Sequence, residues 1–170
     1  AVTGYRGSYL TAINNGAYPT VPDANVAPIA FLWSAYRMPA FGFITRGWYT
    51  NTVGLAAYRG PWALETLVRE TAFDVAARRL GIDPVDIRRR NIVTQADMPM
   101  TSPLGIKIDD IDPAGCLDKL LEAFDVVAFR REQAEARKQG RHLGLGISAY
   151  VEPTASTGSV NVMTGELATI

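Results

Sequence analysis

Net charge of either sign is missing from this chain. Its 17 basic and 17 acidic residues cancel, so no net field draws it to nucleic acid or to an anionic membrane surface. Cysteine is missing as a pairing partner: Cys116 is alone, which excludes an intrachain disulfide and a cysteine metal site. His142 is equally solitary. Its neighbours Arg141, Leu143 and Gly144 supply none of the ligands that a zinc or catalytic histidine needs, so a surface or structural histidine is expected. No apolar run is long enough to span a bilayer and no secretory leader is visible. Neither nucleic acid nor membrane is an expected partner, and the cytoplasm is the default compartment.

What is present divides into three stretches within a length suited to one domain, or one and a small satellite. Residues 1–57 are rich in Tyr, Phe, Val, Ile, Thr and Trp with Gly and Pro punctuation, which predicts several short strands. Residues 61–139 read as helical. From Pro61 to Gly81 the set Leu64, Leu67, Val68, Ala72, Val75, Ala76 and Leu80 has helical spacing and is the expected core face. Glu65–Arg69 and Asp74–Arg78 are expected as charge pairs on the opposite face. Gly81 closes this helix, and Asp83-Pro84 restarts it as a cap and a first-turn proline. Arg88-Arg89-Arg90 is the one run of like charge, and its arginines are expected to pair with carboxylates or a helix C-terminus.

Met98 to Pro103 reads as a loop, Gly105 to Ile108 as a short strand, and Asp112-Pro113 as a second cap and start. The amphipathic run to Phe124 places Cys116 among Leu117, Leu120, Leu121 and Phe124, where burial as a small hydrophobe is expected. A charged helix follows over about Val126 to Gln139, closed by Gly140, and residues 143–170 return to strand. This segregation predicts an α+β fold: short mixed or antiparallel strands, a helical section, then strands again. Gly144-Leu145-Gly146-Ile147-Ser148-Ala149 matches a dinucleotide fingerprint in letters only. Tyr150-Val151-Glu152-Pro153 favours extended backbone where a helix would have to begin, so nicotinamide binding is rejected. The glycines are expected to permit close packing or a bulge.

The most specific stretch is Ala56-Ala57-Tyr58-Arg59-Gly60-Pro61-Trp62, running straight into the first helix. Backbone geometry alone accounts for Gly60 and Pro61 at a helix start. Four ordered landmarks add to it: Tyr36-Arg37-Met38-Pro39, Thr50-Asn51, Tyr58-Arg59-Gly60, and Gly81-Ile82-Asp83-Pro84 with Arg88-Arg89-Arg90-Asn91. Asn15-Gly16-Ala17-Tyr18 lies upstream and Gly144-Leu145-Gly146-Ile147-Ser148 downstream. Together they resemble the large subunit of the molybdenum hydroxylases, the family of xanthine dehydrogenase, aldehyde oxidase (aldehyde oxidoreductase) and carbon monoxide dehydrogenase.

The resemblance implies that the chain is an internal fragment, a partial molybdopterin-binding domain over residues 1–170, the alternative being a truncated but natural single-domain relative. The family's Gly-Gly-x-Phe-Gly and Gly-Gln-Gly loops and its Gly-x-Gly-Glu segment with the catalytic base do not occur here, so no catalytic residue and no protein metal ligand is assigned. It further implies that Tyr58, Arg59 and Gly60 bind the cofactor, molybdopterin in a dinucleotide form with molybdenum. The Arg59 side chain either reaches that cofactor or braces the loop against a carboxylate. Pro61, Trp62 and Ala149 are the substrate-pocket candidates. Pro61 and Ala149 stand where purine-oxidising members have ring-clamping Phe residues, and Ala27 where they have a substrate-orienting Arg. Trp62 is either a pocket wall or the first core residue of the helix. Gly60 replaces the metal-bridging Cys of the carbon monoxide enzymes.

An aldehyde or aromatic-heterocycle hydroxylase remains, a molybdenum-dependent oxidoreductase whose partners are iron–sulfur and FAD subunits or domains and a small-molecule substrate. The 170-residue chain supplies one wall of the site. Alone it is expected to be inactive, to hold no cofactor and to self-associate. The alternative is a non-catalytic scaffold or partner-binding domain of the same fold.

Overall fold

The computed structural model describes residues 2–14, 32–50, 62–102, 105 and 107–151. Strands β1 (Tyr5–Asn14) and β2 (Phe41–Thr50) pair in parallel, from Tyr5 opposite Phe41 to Asn14 opposite Thr50. Parallel neighbours need a crossover of about a dozen residues or more, which residues 15–40 supply. A second, two-residue pairing joins β3 (Met100–Thr101) to β4 (Lys107–Ile108) antiparallel. The fold is therefore α+β with both strand senses. Met98 to Pro103 is not simply a loop, because its middle forms β3; a two-residue ladder leaves no periodicity to read in a sequence.

Helices fill most of the rest: α1 (Trp62–Leu80), α2 (Pro84–Arg89), α3 (Pro113–Ala123) and α4 (Val126–Lys138). Their ends follow from local chemistry. Gly81, at φ +64°, lets the Ile82 N–H bond the Ala77 carbonyl at 3.0 Å and the Gly81 N–H reach the Arg78 carbonyl. These two bonds satisfy carbonyls that the helix end would otherwise orphan. Gly140, at φ +72°, closes α4 in the same way through Arg141 N–H to Ala136 O. Asp83, Asp112 and Asp125 each accept a backbone N–H two or three residues on, from Val85, Gly115 and Ala128. Pro84 and Pro113 occupy first-turn positions where a missing N–H costs nothing.

The core gathers Trp33, Tyr36, Met38, Phe73, Ala77, Ile87, Ile92, Ile108 and Leu117. Tyr36 and Phe73 hold their ring centroids 4.3 Å apart. The segment carrying Trp33 and Tyr36 is stapled to the end of α2: Arg37 N–H bonds Asn91 O at 2.8 Å and Val93 N–H bonds Ala35 O at 2.9 Å.

Helix α1 buries a different stripe from the expected one, although Ala76 of the expected set does pack against the core and the Leu64 side chain lies outside the described residues. Leu67 and Leu80 are each 65% exposed, while Glu65, Arg69 and Glu70 are buried beside Phe73 and Ala77. Glu65 does pair with Arg69, but inside the protein, and Asp74 pairs with Arg88 rather than Arg78. The physical reason is that these buried carboxylates meet arginines and a phenol, which offset their desolvation. Cys116 is exposed, not buried. One helical step sets it off from Leu117, and Leu117 is the residue of α3 that enters the core.

Residues 141–151 form no ladder among the described residues, yet from Leu143 to Val151 half-buried and exposed positions alternate without a break. Gly144 and Gly146 stand on the exposed side. A Cβ built at either meets no atom within 4 Å among the described residues, so close packing is not what places glycine there.

Candidate functional site

Of the residues expected at the site, Tyr58, Arg59, Gly60 and Pro61 lie outside the described residues, as does Ala27. Trp62 is the first residue of α1; its side chain also lies outside the description. Ala149 is described. It is half-buried and packs against the core together with Ile147 and Val151. The structure thus describes three neighbouring parts of the chain: the first turns of α1, the turn over residues 32–35 and the 147–151 segment.

A buried polar cluster joins these three. Arg69 directs all five N–H groups of its guanidinium to acceptors. Nε donates to Glu70 Oε1 at 3.0 Å. Nη1 donates to the Leu32 carbonyl at 3.4 Å and to Glu65 Oε1 at 3.5 Å. Nη2 donates to Thr66 Oγ1 at 3.2 Å and to the Ala149 carbonyl at 3.1 Å. Two residues beyond Ala149, the Val151 N–H donates to Ser34 Oγ at 2.7 Å. Arg88 supports the other side of the cluster, donating to Glu70 Oε2 at 2.8 Å, to Asp74 Oδ1 at 2.9 Å and to the Pro84 carbonyl. The Tyr36 hydroxyl completes the Glu70 shell at 3.1 Å.

The electrostatics follow from burial. Desolvation, then the Glu70 charge, holds the Tyr36 phenol well above its ordinary range, so it stays a donor. Burial disfavours the Arg88 cation, but Asp74 and Glu70 outweigh it and raise its pKa. Glu65 is pushed upward, chiefly by desolvation, and among the described residues its Oε2 has no hydrogen-bond partner. With Glu65, Glu70 and Asp74 ionised against Arg69 and Arg88 the cluster carries one surplus negative charge; a neutral Glu65 removes it. Among the described residues no group of three His, Cys, Asp or Glu side chains could hold a metal ion, and no helix is long and apolar enough to cross a membrane.

Sequence reading missed this cluster, although a signal was there. Glu65, Arg69, Phe73 and Ala77 repeat every four residues, so an aromatic and a small residue share the charged stripe, which a solvated face seldom shows.

Comparison with known proteins gives the frame. Residues 3–92 match the family described as a molybdopterin cofactor-binding domain. The chain is 37% identical over 168 residues to the nicotine 6-hydroxylase large subunit of Paenarthrobacter nicotinovorans, covering 92% of this chain and 20% of that protein. It is 29% identical over 148 residues to the carbon monoxide dehydrogenase large chain of Hydrogenophaga pseudoflava, covering 82% and 18%. The crystal structure of quinoline 2-oxidoreductase from Pseudomonas putida 86 superposes with a TM-score of 0.72 at 34% identity, covering 83% of this chain and 19% of that one. The chain spans about a fifth of the length of these relatives.

Proposed function

Since the chain belongs to the molybdopterin cofactor-binding domain family, we propose that it is part of the catalytic subunit of a molybdopterin-dependent hydroxylase acting on an aromatic nitrogen heterocycle. The observation that carries this reading is likeness over most of the chain, at 37% and 34% identity, to a nicotine hydroxylase and a quinoline oxidoreductase. The small residues Pro61 and Ala149, where the purine enzymes clamp their substrate between phenyl rings, suit a substrate other than a purine. The aldehyde arm of the expectation thereby takes second place.

In this reading Tyr58, Arg59 and Gly60 hold the cofactor, in a dinucleotide form, and Pro61, Trp62 and Ala149 line the substrate side. The described residues fit such a group. The 58–61 stretch leads directly into a 19-residue helix, and the first-turn N–H groups of a helix, which have no partner within it, together with its positive dipole end favour an anionic phosphate or oxo group. Glu65, the acidic residue in that first turn, is pushed toward its neutral form by burial, so it opposes that positive end less than an exposed carboxylate would. When bound, molybdopterin supplies the redox chemistry. The chain's own part is to fix the loop: the Arg69 and Arg88 bonds lock α1 against the core, so the main chain entering it has a rigid base. Iron–sulfur and FAD subunits or domains take the electrons onward. The working compartment is the cytoplasm, where the exposed Cys116 stays reduced.

The test is made on the full-length parent protein: molybdenum content, and dye-linked oxidation of quinoline and nicotine. Gly60→Val should lower turnover by orders of magnitude, because a side chain there blocks close approach of the main chain to the cofactor. His142→Ala and Cys116→Ala should leave turnover nearly unchanged. A parent protein without molybdenum refutes the reading in favour of a non-catalytic scaffold. An active Gly60→Val enzyme shows that the cofactor wall lies elsewhere.

A further inference from the structure

Helix α1 turns outward a face built from two rows at four-residue spacing: Leu67, Thr71, Val75 and Arg79 in one, Val68, Ala72, Ala76 and Leu80 in the other. Together they line one open groove. Leu67, Thr71, Arg79 and Leu80 are exposed and the other four half-buried, Ala76 with its far side on the core. Rows spaced by four residues are the ridges that helices interlock in their commonest packing, with axes about 8–10 Å apart and crossing at about −50°. The small side chains of Ala72 and Ala76 lie at the middle of the face, where a partner's backbone has to come closest.

The face reads the same in both directions. Reversing the chain about a point between Phe73 and Asp74 carries Leu67 onto Leu80, Val68 onto Arg79, Thr71 onto Ala76 and Ala72 onto Val75. A two-fold contact demands this reciprocity, since each pair has to be made twice. Charge then chooses the direction. In an antiparallel pair each Arg79 stem covers a Val68 and leaves its head free to reach water. At a rise of about 1.5 Å per residue the two Arg79 positions stand about 16 Å apart, beyond the screening length of about 8 Å. A parallel in-register pair would set Arg79 against Arg79.

We propose that this face of α1 is the surface through which two copies of the 170-residue chain associate, as an antiparallel helix pair whose two-fold axis passes between Ala72 and Val75. One helix face is small beside the roughly 800 Å² per partner of a stable complex, so the dimer is weak and forms only as concentration rises. Neither cofactor nor substrate enters into it. The exposed apolar residues Leu120, Phe124 and Val127 lie on other elements and provide the comparison.

The experiment follows the purified 170-residue chain by light scattering over a concentration series. Cross-linking is done in a Cys116→Ala background, because Cys116 is exposed. Mass should rise with concentration and level off at twice that of the monomer. Ala72→Glu, which places a charge at the middle of the contact, should raise the dimer dissociation constant more than about tenfold with helical circular dichroism unchanged. Leu120→Ser should leave that constant unmoved. Leu67→Cys chains mixed with Leu80→Cys chains should join through a short bis-maleimide several times faster than either joins itself, since these two positions meet across the axis and like positions stand about 20 Å apart. A monomer at every concentration overturns the proposal, as does growth past the dimer, which marks a head-to-tail contact. So does an Ala72→Glu chain that dimerises as wild type does, a larger loss from Leu120→Ser than from Ala72→Glu, or equal cross-linking in all three combinations. If Ala72→Glu does not accumulate, the cross-linking comparison decides alone.

Discussion

Arg88→Met and Arg89→Met change neighbouring residues in the same way, and the structure assigns them very different costs. The Arg88 side chain is wholly buried and its guanidinium reaches Glu70, Asp74 and the Pro84 carbonyl. Losing one partner of a buried pair generally costs about 3–5 kcal/mol, because a desolvated charge is left behind. Two features move Arg88 toward the lower end. Glu70 keeps Arg69 Nε at 3.0 Å and the Tyr36 hydroxyl at 3.1 Å, and Asp74 is 41% exposed, so water can replace its partner. About 3 kcal/mol is expected. The Arg89–Asp118 pair, at 2.9 Å, has side chains 52% and 61% exposed, and such pairs contribute less than about 1 kcal/mol. With a urea dependence of about 2 kcal/mol per molar, the midpoints should fall by about 1.5 M for Arg88→Met and by less than about 0.5 M for Arg89→Met. Urea unfolding of the 170-residue chain, followed by helical circular dichroism at low protein concentration, reads both. Equal midpoints for the two variants would refute the buried-network reasoning.

The purified 170-residue chain should contain no stoichiometric molybdenum and show no dye-linked hydroxylase activity, since the family's general-base segment and most of its cofactor loops are not in it. Metal analysis finding about one molybdenum per chain would refute this. It should also self-associate, as the exposed apolar residues Leu67, Leu80, Leu120, Phe124 and Val127 suggest; light scattering from a clean monomer at high concentration would count against it. Glu65 gives a pH dependence of known sign. Its folded pKa is raised by desolvation, so its contribution to stability is present below the unfolded value and is lost as pH rises through the folded one. Glu65→Gln should therefore raise the urea midpoint at neutral pH and leave it unchanged in acid, and the opposite ordering would show that the carboxylate is stabilised by its partners.

Helix ends were legible because their causes are local. Asp83-Pro84, Asp112-Pro113, Gly81 and Gly140 act within one turn of themselves, and each does in the structure what its spacing predicts. The N-cap Asp125, with no proline after it, works equally well and carried a weaker signal. The ladder of β3 and β4 depends on partners whose identity no short window contains. The family loop was legible as a pattern of residue types around Arg59, whereas the buried polar cluster was not. Its members Tyr36, Arg69, Glu70 and Arg88 lie up to 52 positions apart by number, and nothing in α1 alone says that Tyr36 and Arg88 will arrive to meet its carboxylates.

That dependence explains why α1 inverts. A helix carrying both a charged stripe and an apolar stripe can bury either, and burying the charged one is unfavourable unless every charge finds a partner. Here Glu70 meets two arginines and a phenol, Arg69 meets five acceptors, and among the described residues of the cluster only Glu65 Oε2 is left over. Once that stripe is buried, Leu67 and Leu80 are turned outward and Val68, Ala72 and Val75 are left half-buried beside them, an apolar surface that water covers poorly. Such a face is the one through which the 170-residue chain is expected to self-associate. Leu67→Ser and Leu80→Ser should weaken self-association of the 170-residue chain while leaving the Arg69 cluster intact, since neither leucine contributes to it.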